Sequence, residues 1–222
     1  MLRRLFSLFG KKNSASPAIS EEEYQAWDEK KSGFFETVLG SEHDMVMHAL
    51  IPYAIGGGLD LYYFPNHPEY SGTAIATKEL VELPGQGPSN RDYAAYELVM
   101  FTKHALDLDA AKDDSHPFGQ AHSQLNRLLN AIARYAAQAT LNPNETCEFP
   151  ADFEHLGGKC LLFDGFTEPA ASKESGVGLM LVLEVHRPEM DYAREQGGAA
   201  LIEKLKSAGH YPYSDLDREP VV

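Results

Sequence analysis

The chain has 222 residues, with 19 Lys and Arg against 33 Asp and Glu, a formal net charge of −14. At 43% hydrophobic and 23% charged residues with two cysteines, it is neither a disordered chain, nor collagen-like, nor a disulfide scaffold. Phosphate neutralisation by Lys and Arg dominates nucleic-acid affinity, so this excess of carboxylates argues against nucleic acid and anionic membrane as partners and permits a basic protein. Cys147 and Cys160 belong to no CxxC or Cys/His cluster and are expected as buried, reduced thiols in a cytoplasmic protein. No stretch approaches the roughly 20 apolar residues that span a bilayer, so integral membrane association is not expected.

In chain order, Arg3, Arg4, Lys11 and Lys12 form a basic leader without one acid, and residues 13–18 (NSASPA) read as a linker, so that leader and linker together occupy residues 1–19. The apolar part at 5–10 is too short for a secretory signal. A plain leader, a membrane-surface helix and an organellar transit peptide remain open readings. Ser20 followed by Glu23 makes a capping box, and Tyr24, Trp27, Phe34 or Phe35, and Val38 predict a helix ending at Gly40. Eight acids against two lysines make residues 20–50 the most acidic stretch. After the triplet Gly56, Gly57 and Gly58, read as a flexible entry, LDLYYF predicts a strand over 59–64. A second strand is expected over 73–83, a loop over 84–90, a third strand over 96–101 and a long helix over 118–139 with Leu125, Leu128, Leu129, Ile132 and Ala136 as its apolar stripe. Then follow a turn at LNPNET, a strand over 159–163, a loop over 168–176 and the run GLMLVLEV at 178–185. That run is apolar enough to be buried on both faces in the middle of a sheet. Pro188 opens a last helix over 188–207, and 208–222 reads as a loose acidic tail. The pattern predicts one α+β domain over 20–207, a central, largely antiparallel sheet flanked by helices, rather than a TIM barrel or a doubly wound fold.

Residue types yield no catalytic constellation and imply no cofactor. The glycine triplet precedes its strand, whereas phosphate-binding fingerprints follow one. There is no GxSxG elbow and no HExxH, and the nine histidines show no metal-ligand spacing. Glu184 and His186 share a strand face at the end of the buried run, which leaves a metal-assisted hydrolase as the enzymatic alternative.

At GGGLDLYYF (56–64) the sequence begins to resemble the suppressor-of-fused domain family. The likeness continues in order through YELVMF (96–101), RLLNAIARYAAQ (127–138), TCEFPADF (146–153) and GLMLVLEVHRPEMDYAREQGGAALIEKL (178–205). It departs at Ala76, Thr77, Lys78 and Glu79, where many members carry Gly-x-Ser-Asp. The resemblance implies a non-enzymatic protein-binding domain of compact bacterial type, expected to lack the second domain with which the animal protein clamps a transcription-factor peptide. It further implies an immunity or antitoxin-like role against a basic toxin domain, with a housekeeping adaptor as another alternative. The partner-contact candidates are the acidic residues Glu21, Glu22, Glu29 and Glu36, then Asp60, Tyr62 and Glu97, and Glu184 with His186 at the strand end.

Overall fold

The computed structural model describes residues 19–222; the basic leader lies outside the described residues. Helix α1 (Glu21–Leu39) starts where the capping box requires: Ser20 Oγ accepts from the Glu23 amide at 3.2 Å, and the Glu23 carboxylate accepts from the Ser20 amide at 2.8 Å. Its inward face is Trp27, Lys31, Phe35 and Leu39, a strict spacing of four with a lysine in the stripe, while Tyr24, expected to pack, is exposed. The helix stops at Gly40, where φ is +89° and a Cβ would lie 2.2 Å from the Asn66 carbonyl oxygen, so only glycine fits.

The strands are β1 (Val46–Met47), β2 (Leu61–Phe64), β3 (Thr73–Ala76), β4 (Tyr96–Thr102), β5 (Thr146–Glu148), β6 (Cys160–Gly165) and β7 (Gly178–Val185). They form one sheet in the order β1-β2-β3-β4-β7-β6-β5, antiparallel at every pairing except β4 with β7. The fold is thus α+β with a largely antiparallel sheet, and the run at 178–185 sits centrally with every residue buried. Alternation sorts the side chains. Leu61, Tyr63, Leu98, Met100, Met180 and Val182 face α2 (Pro117–Ala136) with Leu125, Leu128, Leu129 and Ile132. Phe64, Val99, Phe101, Leu179, Leu181 and Leu183 face α1, α4 (Arg187–Gln196) and α5 (Gly198–Ser207). Cys147 stands opposite Leu161 and Cys160 opposite Glu148, so the two free thiols project from opposite faces of the sheet.

Four differences from expectation have local causes. β3 ends at Ala76 rather than at 83, because the following residues wrap a buried carboxylate described below. Residues expected as a loop form α3 (Pro169–Ser175), which has Pro at its first turn and the left-handed Gly176 at its end. The last helix is two helices, parted at Gly197 (φ +95°), and a Cβ on Gly198 would lie 2.2 Å from the Asn144 carbonyl oxygen. Finally, residues 208–222 are no loose tail. Tyr213 bridges Phe101, Ser214 N donates to the Phe101 carbonyl at 2.9 Å, and Asp215 accepts from Thr102 Oγ1 at 2.7 Å and from the Lys103 amide at 2.8 Å.

The tail is locked by Glu189, whose carboxylate is fully buried at the start of α4. It accepts from Arg218 Nη1 at 2.6 Å and Nη2 at 2.9 Å, from the His186 amide at 2.8 Å and from the Val221 amide at 3.0 Å. Burial pushes its pKa up, but the Arg218 guanidinium and the two amides outweigh that and hold it below the ordinary 4.5. A carboxylate pKa lower in the folded than in the unfolded chain stabilises fully above the unfolded value and progressively less as pH falls below it. Urea melts of the wild type should therefore lose midpoint from pH 6 to pH 3, and Glu189→Gln should lower stability at pH 7 by about 3 kcal/mol while flattening that pH dependence. An unchanged pH slope in Glu189→Gln would refute the assignment.

Candidate functional site

Glu97, expected as a surface contact, lies inside the molecule. Its β4 carboxylate accepts from Thr77 Oγ1 at 2.6 Å, the Leu80 amide at 3.1 Å and the Val81 amide at 2.8 Å. Lys31 of α1 reaches in to 4.0 Å from the same carboxylate and donates to the carbonyl oxygens of Lys78 at 2.6 Å and Val81 at 3.0 Å. Burial raises the Glu97 pKa and lowers that of Lys31, while each charge opposes the shift in the other. The tetrapeptide 76–79 that departs from the family pattern is thereby given structural work. Thr77 bonds Glu97, Lys78 pairs with Glu42 and bonds Ser32 Oγ at 3.0 Å, and Glu79 accepts from the Asp60 amide at 2.7 Å. Lys78 also lies 4.8 Å above the half-buried Tyr62 ring. Asp60 holds the β1 side of the sheet, accepting from the Ala49 amide at 2.9 Å and lying 2.7 Å from His48 Nδ1.

Glu184 and His186 do not converge. The buried Glu184 accepts from Gln124 Nε2 and Lys159 Nζ, both at 2.8 Å, whereas the His186 ring donates to the Arg218 carbonyl oxygen at 2.8 Å. Among the described residues, no group of three or more His, Cys, Asp or Glu is arranged to hold a metal ion. The cleft at the start of α2, about 620 Å³, is lined by His43, His104, Asp107, Asp109 and His116. Two of those imidazoles already accept backbone amides at Nδ1, from Met45 to His43 and from Phe118 to His116, which leaves the proton on Nε2, the nitrogen that would otherwise ligate.

The other exposed features lie on α1 and at the sheet edges. Glu21, Glu22, Glu29 and Glu36 all face solvent. The two edges of the sheet are β1 and β5. Beside β1, Met45, Leu50, Ile51 and Ile55 are exposed, Leu50 completely, in a stretch from 45 to 59 without a single Asp, Glu, Lys or Arg. The glycine triplet is not a loose entry to a strand. Gly57 N donates to Pro52 O and Gly58 N to Ile51 O, both at 3.0 Å, and a Cβ on Gly57 would lie 1.8 Å from Ile51 O. These glycines close a tight loop that displays the apolar side chains. Sequence reading missed this loop, although the uncharged run LIPYAI in so acidic a chain was its signal. Tyr135 and Phe153 are the exposed large side chains on the α2 face toward β5, lining a cleft of about 460 Å³.

The described residues thus form an α+β domain whose single mixed sheet ends in the edge strands β1 and β5. A family model for suppressor of fused protein matches residues 57–219, and the chain belongs to that family. Its fold is similar to that in a structure described as the Sufu–Fu complex, with a TM-score of 0.56 and 15% identity over 90% of this chain and 92% of that one. It is also similar to Drosophila Suppressor of Fused, with a TM-score of 0.56 and 15% identity over 94% of this chain and 54% of that one. A suppressor-of-fused homologue from Neisseria gonorrhoeae FA 1090 aligns with a TM-score of 0.49 and 13% identity over 91% of this chain and 98% of that one. This chain thus spans about half the length of the Drosophila protein. No curated protein sequence matches it. Among the described residues no helix is long and apolar enough to cross a membrane.

The burial of Glu97 makes a direct prediction. Removing one partner of a buried pair leaves an uncompensated charge, so Glu97→Ala should lower unfolding free energy by about 3–5 kcal/mol. The double change Lys31→Met with Glu97→Leu should recover most of it, as chemical denaturation would read. Equal losses in the single and double variants would disprove the coupling.

Proposed function

We propose that this chain is a non-enzymatic, cytoplasmic protein-binding domain that neutralises a basic partner by covering it, in the manner of an immunity or antitoxin-like protein. The observation that carries this reading is the open β1 edge beside the uncharged loop bearing Leu50, Ile51 and Ile55. An exposed edge offers backbone donors and acceptors to a strand of another protein, and flanking apolar side chains add burial. The acidic residues of α1 supply the complementary property. A chain of net charge −14 attracts a basic domain over long range, which raises the association rate more than the final affinity. Occlusion of this kind needs no proton transfer and no metal, so the engagement of Glu184 and His186 with other groups is consistent with it.

The test is co-expression with the product of the adjacent gene, read as cell survival and as the binding kinetics of the purified pair. The wild type should protect, and raising salt from low to high should slow association by about tenfold with a smaller effect on dissociation. Leu50→Asp with Ile51→Asp should abolish protection while leaving the melting temperature within about 2 °C, because both side chains are exposed. Unchanged protection in that variant, with loss in Tyr135→Ala and Phe153→Ala, would move the interface to the β5 edge. Capture of a harmless folded protein without protection would favour the adaptor reading.

A further inference from the structure

On the sheet face covered by α1, α4 and α5, the ground between the end of α1 and the end of α5 is occupied by rings. His67 and Tyr70 come from the β2–β3 connection, Phe101 from β4, Phe166 from the residue after β6, and Tyr211 from the segment after α5. Their centroids lie 4.7 Å (His67 to Tyr70), 5.2 Å (Phe101 to Phe166), 5.9 Å (Tyr70 to Phe101) and 6.0 Å (Tyr70 to Tyr211) apart. Phe101 is buried beneath, and the other four rings are partly buried, each keeping some surface open to solvent. Five rings in contact, with four of them partly open to solvent, form a platform at the margin of the core.

A carboxylate stands in this platform. Asp164, near the end of β6, accepts from the Tyr211 hydroxyl at 3.0 Å, and partial burial raises its pKa. Among the described residues the Tyr211 hydroxyl is the one side chain that donates to it, in a place flanked by aromatic rings. A cation already visits: Lys206 Nζ lies 5.0 Å from the Tyr211 ring centroid, and Lys206 also lies 3.4 Å from Glu203. The resident ammonium is shared with an exposed glutamate, so a better cation could displace it.

We propose that this platform is a subsite for a cationic side chain, guanidinium or ammonium, presented by a protein partner. Tyr70 and Tyr211 would offer their ring faces to the cation and Asp164 would take its charge. Aromatic faces attract cations through the ring quadrupole, and a planar guanidinium both stacks and forms charge-assisted hydrogen bonds to a carboxylate. The occupant follows from charge: a strongly acidic chain recruits basic partners, and here it offers a cation-specific contact instead of a diffuse field. This inference rests on the reading of the chain as a binder of basic proteins and adds the contact that would orient such a partner.

The experiment titrates the whole chain, at about 150 mM salt to screen diffuse attraction, with acetyl-Gly-Arg-Gly-amide and in parallel with its neutral citrulline isostere, following aromatic resonances by NMR. The arginine peptide should shift the rings of His67, Tyr70 and Tyr211, and the citrulline peptide should not. Asp164→Asn should weaken the arginine peptide about fivefold, and Asp152→Asn, at an exposed acid in the β5–β6 connection, should leave it unchanged. Lys206→Ala, which removes the resident ammonium and keeps the platform, should tighten binding. Equal response to both peptides, shifts centred on α1, or unchanged affinity in both Asp164→Asn and Lys206→Ala would overturn the subsite. Because the probe is a peptide, failed protection of cells would leave a positive titration standing. A negative titration with protection intact would remove the subsite alone.

Discussion

The buried pair of Lys31 and Glu97 is the constraint around which this fold is organised. A carboxylate in the middle of a strand whose every residue is buried would cost several kcal/mol unless it is matched by donors. The donors come from three places: the Thr77 hydroxyl, the amides of Leu80 and Val81, and the ammonium of α1. β4 can be covered only if the chain after β3 turns inward and α1 docks, so three separate pieces are made to fold together. Trp27 adds to the same joint, its indole N–H pointing at the Val81 carbonyl at 3.4 Å.

That joint also decides what α1 shows to the outside. With Trp27, Lys31, Phe35 and Leu39 pinned inward at a spacing of four, Glu22, Glu29 and Glu36, at a spacing of seven, are carried to the opposite side. A helix anchored by a lysine rather than by a broad apolar stripe leaves more of its circumference polar. The acidic face therefore follows from how the helix is held, whatever use a partner makes of it.

The features legible from sequence were those encoded locally. The capping box at Ser20 and Glu23 set the start of α1, and the unbroken run from Gly178 to Val185 set the centre of the sheet, because both depend on neighbours in the chain. Helix α2 was read within a few residues from its apolar period. The edge strands β1 and β5, two and three residues long, have no period to read. Helix α3 was missed although Pro169 and Gly176 bracket it, since seven polar and small residues look like a loop. Nothing local marks Glu97 as buried, since acids are seldom fully buried without a partner and its partner is 66 positions away in Lys31. The tail shows the same limit: three acids in a stretch without helical or strand period read as solvated, yet Asp215 caps β4 and Arg218 meets Glu189. Of the candidate contacts, the α1 glutamates are exposed as expected of a solvated face, while Glu97 and Glu184 are committed inside.

Net charge and contact chemistry perform different tasks on this surface. A diffuse excess of carboxylates works over a Debye length, of order 10 Å at ordinary ionic strength, and cannot by itself distinguish one basic protein from another. Discrimination requires groups that lose free energy when the wrong partner docks. In the proposed complex the uncharged loop at Leu50, Ile51 and Ile55 would do so by remaining wet against a charged surface, and Asp164 by keeping only the shared Lys206 ammonium nearby. The two lie on different parts of the molecule, the loop at the β1 edge and the carboxylate near the end of β6 on the face covered by α1 and α5. A partner satisfying both must be large enough to reach from the edge onto that face, which a folded domain does and a short peptide does not. For the basic partner proposed above, steering by the acids, burial at the loop and charge matching at the platform would act in succession along one approach.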